Sequence, residues 1–369
     1  MSNKYREHFI SIDTDHVHSL NVALTYNIKQ ENFDSASHKN PLLKKFNYSS
    51  EISVDTFAEW DTEETIFAVR DALAINNNVT LIEADNNAFE QFNQLKPDIV
   101  FNIAEGFNGI SRETQIPAML DFLNIPYTGS DPVTLAICLD KSRTKEILSY
   151  HGIPNPKFKV FSEPLRDNHI GLSFPLIVKP IAEGSSKGIF ESSLVNNYEE
   201  LNREINRITI EYGESALVEE FLSGREFTAA ILGNGDDMRV LPLIELKHDV
   251  FPQGTLPIYS YEAKWILDTR DTPLDVFDCP AKLSDDLYRK IEETCRETYT
   301  ILRCRDWSRI DIRLDSNNIP NVIEINPLPG ILPNPVDNSC FPKAARVAGM
   351  DYNQVINRVL DSARKRYGI

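Results

Sequence analysis

The first third of the chain alternates short apolar runs with segments in which apolar residues recur at helical spacing. Residues 21–26, 79–84 and 98–103 predict strands. Residues 61–75 follow an Asp/Thr cap signal and predict a helix, and residues 112–123 predict an amphipathic one. This alternation predicts a small α/β domain with parallel strands.

The pattern changes near residue 140. We expect a short strand at residues 124–127, and then Asp140 as the cap of a helix of about ten residues that ends at Gly152. The polar residues 29–53 have no clear periodicity and predict a loop or insertion. We therefore place an N-terminal domain at residues 1–136.

The rest of the chain places strands in hairpin-like order, with fewer helices, which predicts α+β modules. We expect a central module at residues 137–227 and a C-terminal module at residues 228–369. Strands are predicted at residues 157–161, 175–180, 216–222, 226–233, 239–246, 309–314 and 321–325. Helices are predicted at residues 197–211, 284–302 and 351–365.

Composition and charge exclude several classes of protein. The 369 residues are 41% hydrophobic and 25% charged, as in ordinary globular proteins. No apolar run approaches the roughly 18 residues of a membrane span, and the first 25 residues contain no apolar signal region, so we expect a cytoplasmic protein. The net charge of −17 disfavours nucleic acid and anionic lipid as partners. Five widely spaced cysteines indicate reduced thiols.

A polar cluster is predicted on a hairpin near the C-terminus. If residues 317–318 form a two-residue turn, Asp311 lies opposite Glu324. Arg309 then lies opposite Asn326 on the same face. Because facing carboxylates repel, a bound Mg²⁺ or Mn²⁺ explains them better than chance, although a solvated face stays an alternative. The other face is expected to carry Ile310, Ile312, Ile323 and Ile325.

Two more segments could bind a nucleotide. Residues 175–189 predict a buried strand that ends in Lys179 and a loop whose backbone amides, hydroxyls and ammonium groups suit phosphates. The residue order is not that of a Walker loop, so a flexible turn is the alternative. Residues 216–227 could form an adenine slot, or only a strand and a turn. The candidate residues of this slot are Glu219, Phe221, Leu222 and Glu226.

Together these segments resemble the ATP-grasp superfamily and, within it, the D-alanine-D-alanine ligase family. The resemblance covers residues 98–366 and is more specific for the superfamily than for the substrate. It rests on the strings FNIAEG, IPYTGS, LDKSRTKEIL, GIPNP, IVKPIAEGSSKG, VEEFLSGREFTAAILG, YEAKW, RIDIRLD, EINPLPG and FPKAARVAGM.

The resemblance implies a three-domain ATP-grasp fold of the α/β class, with a pre-ATP-grasp N-terminal domain. It also implies ATP, two Mg²⁺ or Mn²⁺ ions, small amino-acid substrates and a homodimer. The residues implied to bind the nucleotide are Lys141, Lys179, Glu183, Ser186, Glu219, Phe221, Leu222, Glu226 and Lys264. The implied metal ligands are Asp311, Glu324 and Asn326. The residues implied to act in catalysis are Ser185, Lys264, Arg309 and Gly330.

The implied reaction is the formation of a dipeptide through an acyl phosphate, and residues 248–280 are long enough to form a lid. Three alternatives stay open. The chain could be a ligase for other amino acids, a non-catalytic nucleotide-binding protein, or a phosphotransferase that stops after phosphorylation.

The substrate side departs from the family pattern. The family's N-terminal GG..SEREVS segment does not occur, and Glu105 and Trp265 replace a histidine and a tyrosine. Lys187 replaces a small apolar residue, and the loop before Ser339 is lengthened. We expect Glu105, Trp265 and Ser339 to contact substrate, with Glu105 favouring a cationic ligand. The alternative is an unchanged substrate.

Overall fold

The computed structural model describes residues 19–29, 59–106, 109–166, 170–252, 255–268 and 274–369. The predicted loop at residues 29–53 lies outside these ranges except for its first residue. Among the described residues, no helix is long and apolar enough to cross a bilayer.

A parallel sheet of three strands, in the order β2-β1-β3, forms the N-terminal layer. The α/β prediction for this part of the chain is therefore confirmed. Its strands are β1 (Asn21–Tyr26), β2 (Asn78–Glu83) and β3 (Ile99–Asn102). Its helices are α1 (Glu63–Ala74), α2 (Ala88–Leu95) and α3 (Gln115–Leu123).

Two predictions for this layer, a strand and the start of a helix, are wrong because the backbone turns at those residues. Residues 124–127 form no strand, because Asn124 takes a left-handed backbone (φ 53°) that ends α3. Tyr127 makes only an isolated bridge with Val100. The predicted helix at residues 112–123 begins as a 3-10 turn, Arg112–Thr114.

Two capped helices lead into the central part of the chain. They are α4 (Pro132–Leu139), which the sequence analysis missed, and α5 (Lys141–Tyr150). Asp140 caps α5 as predicted, since its Oδ1 accepts from the backbone N–H groups of Ser142 and Arg143 at 2.9 and 3.1 Å.

The central sheet is antiparallel, with the order β4-β7-β5-β6. Helix α6 (Tyr198–Glu211) packs Leu201 and Ile205 against it. Asn197 caps this helix by accepting from Glu200 N at 2.9 Å. The strands are β4 (Phe158–Phe161), β5 (Leu176–Pro180), β6 (Leu194–Val195) and β7 (Ala216–Glu220).

The C-terminal sheet has the order β11-β10-β8-β12-β13, and β9 pairs with β8. Its strands are β8 (Glu226–Leu232), β9 (Arg239–Val240), β10 (Ile244–Leu246), β11 (Phe277–Asp278), β12 (Trp307–Leu314) and β13 (Pro320–Asn326). Its helices are α7 (Asp285–Ile301), α8 (Cys340–Val347), also missed, and α9 (Tyr352–Tyr367). The single strand predicted at residues 239–246 is wrong: the segment forms two strands with Pro242, which has no N–H for a ladder, between them.

The β12-β13 hairpin has the predicted register only at its polar end. Asp311 lies opposite Glu324, but a bulge follows and Ile312 pairs with Val322. Asp315 N donates to Ile319 O at 3.1 Å, so the turn has three residues instead of two. Because the bulge inserts one residue, Ile323 leaves the predicted apolar face and lines a cleft.

One apolar core joins the N-terminal and C-terminal sheets. It includes Val22 of β1, Val69 of α1, Trp307 of β12 and Val359 of α9. The division into three domains stays a prediction, and its boundary after residue 227 would cut β8.

Candidate active site

A cleft of about 600 Å³ runs along the facing parts of the central and C-terminal sheets. The predicted residues that line it are Lys141, Lys179, Ser185, Ser186, Glu219, Phe221, Leu222, Glu226, Lys264, Arg309, Asp311, Glu324, Gly330 and Ser339. The fold therefore brings together side chains from strands, loops and helix α5 that are far apart in the sequence.

One part of the cleft combines an apolar wall with a fixed carboxylate. Phe221 lines it, and the guanidinium of Arg313 lies 4.6 Å from the centre of the Phe221 ring. Glu226 Oε2 is 3.0 Å from Arg313 Nη1 and 3.1 Å from His248 Nε2. This geometry suits a flat heterocycle with polar edges.

Two lysines flank a buried carboxylate next to that wall. Glu219 lies 2.8 Å from Lys145 Nζ and 2.9 Å from Lys179 Nζ. Burial favours the neutral acid, but the two ammonium groups lower the pKa of Glu219 to about 2. Lys145 was not predicted from the sequence, although it follows Lys141 by one helical turn on α5.

The predicted carboxylate pair is present and is held by cationic side chains. Arg309 Nη2 lies 3.0 Å from Asp311 Oδ2, and Lys141 Nζ lies 2.8 Å from Glu324 Oε1. Thr228 donates to Asp311 Oδ1 at 2.8 Å. Burial raises the pKa of Asp311; for Glu324 burial is outweighed by Lys141 and Arg309, which lower its pKa.

These oxygen donors fit Mg²⁺. Within the described ranges, no three acidic, His or Cys side chains form a complete metal site. A partial set is what Mg²⁺ uses when water and a nucleotide supply its other ligands. Asn326 does not line the cleft, and its Oδ1 accepts from Leu328 N at 2.8 Å. The two carboxylates are therefore the better candidates.

Cationic groups lie next to the carboxylate pair. The buried Nε of Arg309 has no hydrogen-bond partner within the described part of the chain, so it can still donate to an anion. Burial and the neighbouring Arg309 lower the pKa of Lys264 to about 8. Lys264 lies in a π-helical turn, Ala263–Leu267.

The three residues predicted to contact substrate differ in their position relative to the cleft. Ser339 lines the cleft, but its Oγ donates to Gly330 O and accepts from Leu332 N, both at 3.2 Å. Glu105 does not line the cleft, and burial together with Glu113 raises its pKa. The side chain at position 265 lies outside the described part of the structure.

Glu183 is also outside the cleft lining. Its carboxylate lies 2.6 Å from Lys187 Nζ and 3.1 Å from Arg112 Nη2, while its backbone oxygen accepts from Lys141 Nζ. Its side chain thus binds protein cations, so the prediction that it contacts the nucleotide gains no support from the geometry.

One wall of the cleft was not predicted from the sequence. Residues 59–64, just before and at the start of α1, line it together with Lys29. Burial raises the pKa of Asp61 to about 7. The only sequence signal there is the Asp/Thr cap before α1, which predicts a helix but not a binding site.

The fold, the cationic cleft and the facing carboxylates define the protein as an ATP-grasp ligase. Residues 147–361 match the model of the family described as D-ala D-ala ligase C-terminus. The chain belongs to the D-alanine-D-alanine ligase family. This confirms the predicted family and the predicted class of enzyme, an ATP-grasp ligase.

Two curated relatives show how much of the chain is similar to known proteins. A D-alanine-D-alanine ligase of Carboxydothermus hydrogenoformans is 33% identical over 309 residues, which cover 81% of this chain and 91% of that one. An uncharacterized protein of Sinorhizobium fredii is 35% identical over 269 residues, 73% of this chain and 75% of the relative.

Solved structures agree on the fold. The D-alanine-D-alanine ligase of Bacillus anthracis, complexed with ATP, superposes with a TM-score of 0.67 at 19% identity, covering 95% of this chain and 99% of that one. The VanG D-Ala:D-Ser ligase of Enterococcus faecalis gives 0.66 at 20% identity, covering 94% and 100%.

Proposed function

We propose that this protein joins two amino acids into a dipeptide at the expense of ATP, through an acyl phosphate. The observation that carries the proposal is the Asp311 and Glu324 pair, which faces the cleft between Arg309 and Lys141. Family membership supports it, and the non-catalytic alternative does not explain why these charged groups converge.

The first step would transfer the γ-phosphoryl group of ATP to a substrate carboxylate. The carboxylate oxygen forms a bond to phosphorus as the bond to ADP breaks. Lys141, Lys179 and Lys264 line the cleft and would hold the phosphates, and Asp311 and Glu324 would hold Mg²⁺. Mg²⁺ would neutralise charge on the transferred group.

In the second step the amine of the other amino acid attacks the carbonyl carbon, phosphate leaves, and the amine proton passes to solvent. Arg309, whose buried Nε has no hydrogen-bond partner in the described part of the chain, would stabilise the oxyanion together with the Gly330 backbone. The acidic residues Asp61, Glu63 and Glu64 of the cleft wall could hold a substrate ammonium group.

A lid would protect the acyl phosphate from water. Asn338 Nδ2 lies 2.8 Å from both carboxylate oxygens of Asp268, and Asp268 also accepts from Tyr259 OH at 3.2 Å. These contacts tie the predicted lid to the loop before α8. A homodimer and a cytoplasmic location stay predictions, the first of which sedimentation of the purified protein would test.

The test is ATP-dependent phosphate release with Mg²⁺ across pairs of D- and L-amino acids, with products identified by mass and Glu324→Ala as the control. We expect a dipeptide from at least one pair, with turnover lost in the variant. Turnover with D-alanine as the only amino acid would show that the product is the D-alanine dipeptide for which the relatives are named. Nucleotide binding without turnover of any pair would contradict the proposal.

A further inference from the structure

A buried group of four charges connects the N-terminal layer to the loop that follows β5. Glu59 precedes α1, and Arg112 begins the 3-10 turn before α3. Glu183 and Lys187 belong to the loop at residues 182–188. We call these four residues the Glu59 cluster.

Glu59 is the centre of this cluster. Its Oε2 lies 2.7 Å from Arg112 Nη2 and 3.6 Å from Lys187 Nζ. Its Oε1 accepts from the backbone N–H of Gly184 at 2.9 Å. A Cβ at position 184 would lie only 2.3 Å from Glu59 Oε1, so the loop approaches Glu59 as closely as glycine permits.

The remaining contacts attach the other side of the loop. Arg112 Nη1 donates to Ala182 O at 2.9 Å, and Arg112 Nη2 lies 3.1 Å from Glu183 Oε2. Lys187 Nζ lies 2.6 Å from the same Glu183 oxygen. The loop is therefore held at its start, its middle and its end.

Burial makes the cluster cooperative. The side chains of Glu59 and Arg112 are each 7% exposed, and that of Lys187 is 6% exposed. Removal of one partner leaves the others buried with uncompensated charge, which is strongly destabilising. The loop is thus expected to have this geometry only while the cluster is complete.

The held loop carries two cleft residues in an unusual backbone conformation. Ser185 and Ser186 have positive φ values of 52° and 62°, which non-glycine residues adopt only when their surroundings require it. Ser186 Oγ also donates to Tyr259 O at 2.8 Å, so the loop contacts the predicted lid segment.

We propose that Glu59, Arg112 and Lys187 are positioning residues that fix the loop so that Ser185 and Ser186 face the cleft. Lys187 pairs with Glu59 from before α1 and with Glu183 of its own loop, so it links the loop ionically to the N-terminal layer. Its effect on turnover rests on the proposed function, whereas its effect on the loop does not.

The test compares Lys187→Met with Lys187→Arg, which keeps the cation, and with Lys290→Met as the matched control. Lys290 is exposed on α7 and pairs only with Asp286 in the described contacts. Hydrogen-deuterium exchange of the full chain, read by mass spectrometry, is the main measurement. We expect exchange at residues 182–188 to rise at least tenfold in Lys187→Met, with α9 unchanged and the arginine variant close to wild type.

Turnover is the second readout. We expect kcat/KM for the first amino acid to fall at least tenfold in Lys187→Met and to recover in Lys187→Arg. If Lys187→Met does not fold, Glu59→Gln replaces it, because glutamine keeps an acceptor for Gly184 but loses the charge. Unchanged exchange at residues 182–188 in a folded variant would overturn the proposal. A wild type that is silent with every substrate pair would instead overturn the proposed function, and the exchange data would still decide this one.

Discussion

Two buried glutamates of the cleft have the same ionisation but different surroundings. Ion pairs overcome burial and lower the pKa of both Glu219 and Glu59 to about 2. At Glu219, the two ammonium groups of Lys145 and Lys179 outnumber the one carboxylate. This part of the cleft therefore keeps positive charge that a polyphosphate can use.

Around Glu59 the charges balance instead. Its two cationic partners, Arg112 and Lys187, also pair with the carboxylate of Glu183. Burial is the largest cause that raises the pKa of Glu113, to about 8, and it also raises that of Glu105. The comparison teaches that a depressed pKa does not identify a ligand site. What distinguishes the two sites is whether the paired cations have charge left for a ligand.

The largest expected effect concerns Arg309, the cation that pairs with Asp311. We expect Arg309→Met to reduce kcat by about 10²- to 10³-fold, because the variant loses a preorganised charge that stabilises the oxyanion. Steady-state phosphate release measures it, and Arg289→Met on the exposed face of α7 is the control. A loss below threefold would remove Arg309 from the mechanism.

A stability measurement tests whether Lys145 and Lys179 repel each other when the carboxylate that they share, Glu219, loses its charge. We expect Glu219→Gln to lower the free energy of unfolding by about 3 kcal/mol, since Lys145 and Lys179 stay buried and unpaired. Urea unfolding with the exposed Glu293→Gln as control checks this. An unchanged midpoint would show that the ion pairs contribute no net stability.

The pH dependence tests the cation beside the carboxylate pair. Because the pKa of Lys264 is lowered to about 8, the ammonium group loses its charge as pH rises through that value. We expect kcat/KM for ATP to fall up to about tenfold per pH unit above pH 8. In Lys264→Arg this fall should disappear, and a fall that persists there would assign the pKa to another group.

The smallest expected effect concerns the lid. Asn338→Ala removes the hydrogen bonds to Asp268, worth about 1 kcal/mol, and should increase protease cleavage at residues 255–280 about fivefold when ATP is present. The control is Asn353→Ala on the exposed face of α9. Equal cleavage in both variants would show that Asn338 does not hold the lid.

The sequence predicted much of the fold because strong local signals agreed with tertiary packing. Asp140 and Thr62 cap helices where expected, and the helix predicted to start at Asn197 is capped by that residue. The polar end of the hairpin was also predictable, since the period of two fixes which residues face each other. The bulge after Asp311 was not, because it depends on packing against β8 and the cleft.

The cleft was predictable only where residues belong to long motifs. Phe221 and Lys179 were found in this way, whereas Glu59 was missed because no local pattern indicates that it reaches a loop 125 positions away. Glu183 belongs to a motif, yet its side chain turns to Arg112 and Lys187. Charge partners from distant elements decide such orientations.

The central claim is that the reaction passes through an acyl phosphate. The most direct test follows an oxygen atom from the substrate carboxylate to the released phosphate. With the first amino acid labelled by ¹⁸O in its carboxylate, an acyl phosphate route transfers one labelled oxygen to the phosphate that is released. We predict one ¹⁸O per phosphate for each dipeptide formed, and no transfer when the second amino acid is labelled instead. Unlabelled phosphate during dipeptide synthesis would contradict the account.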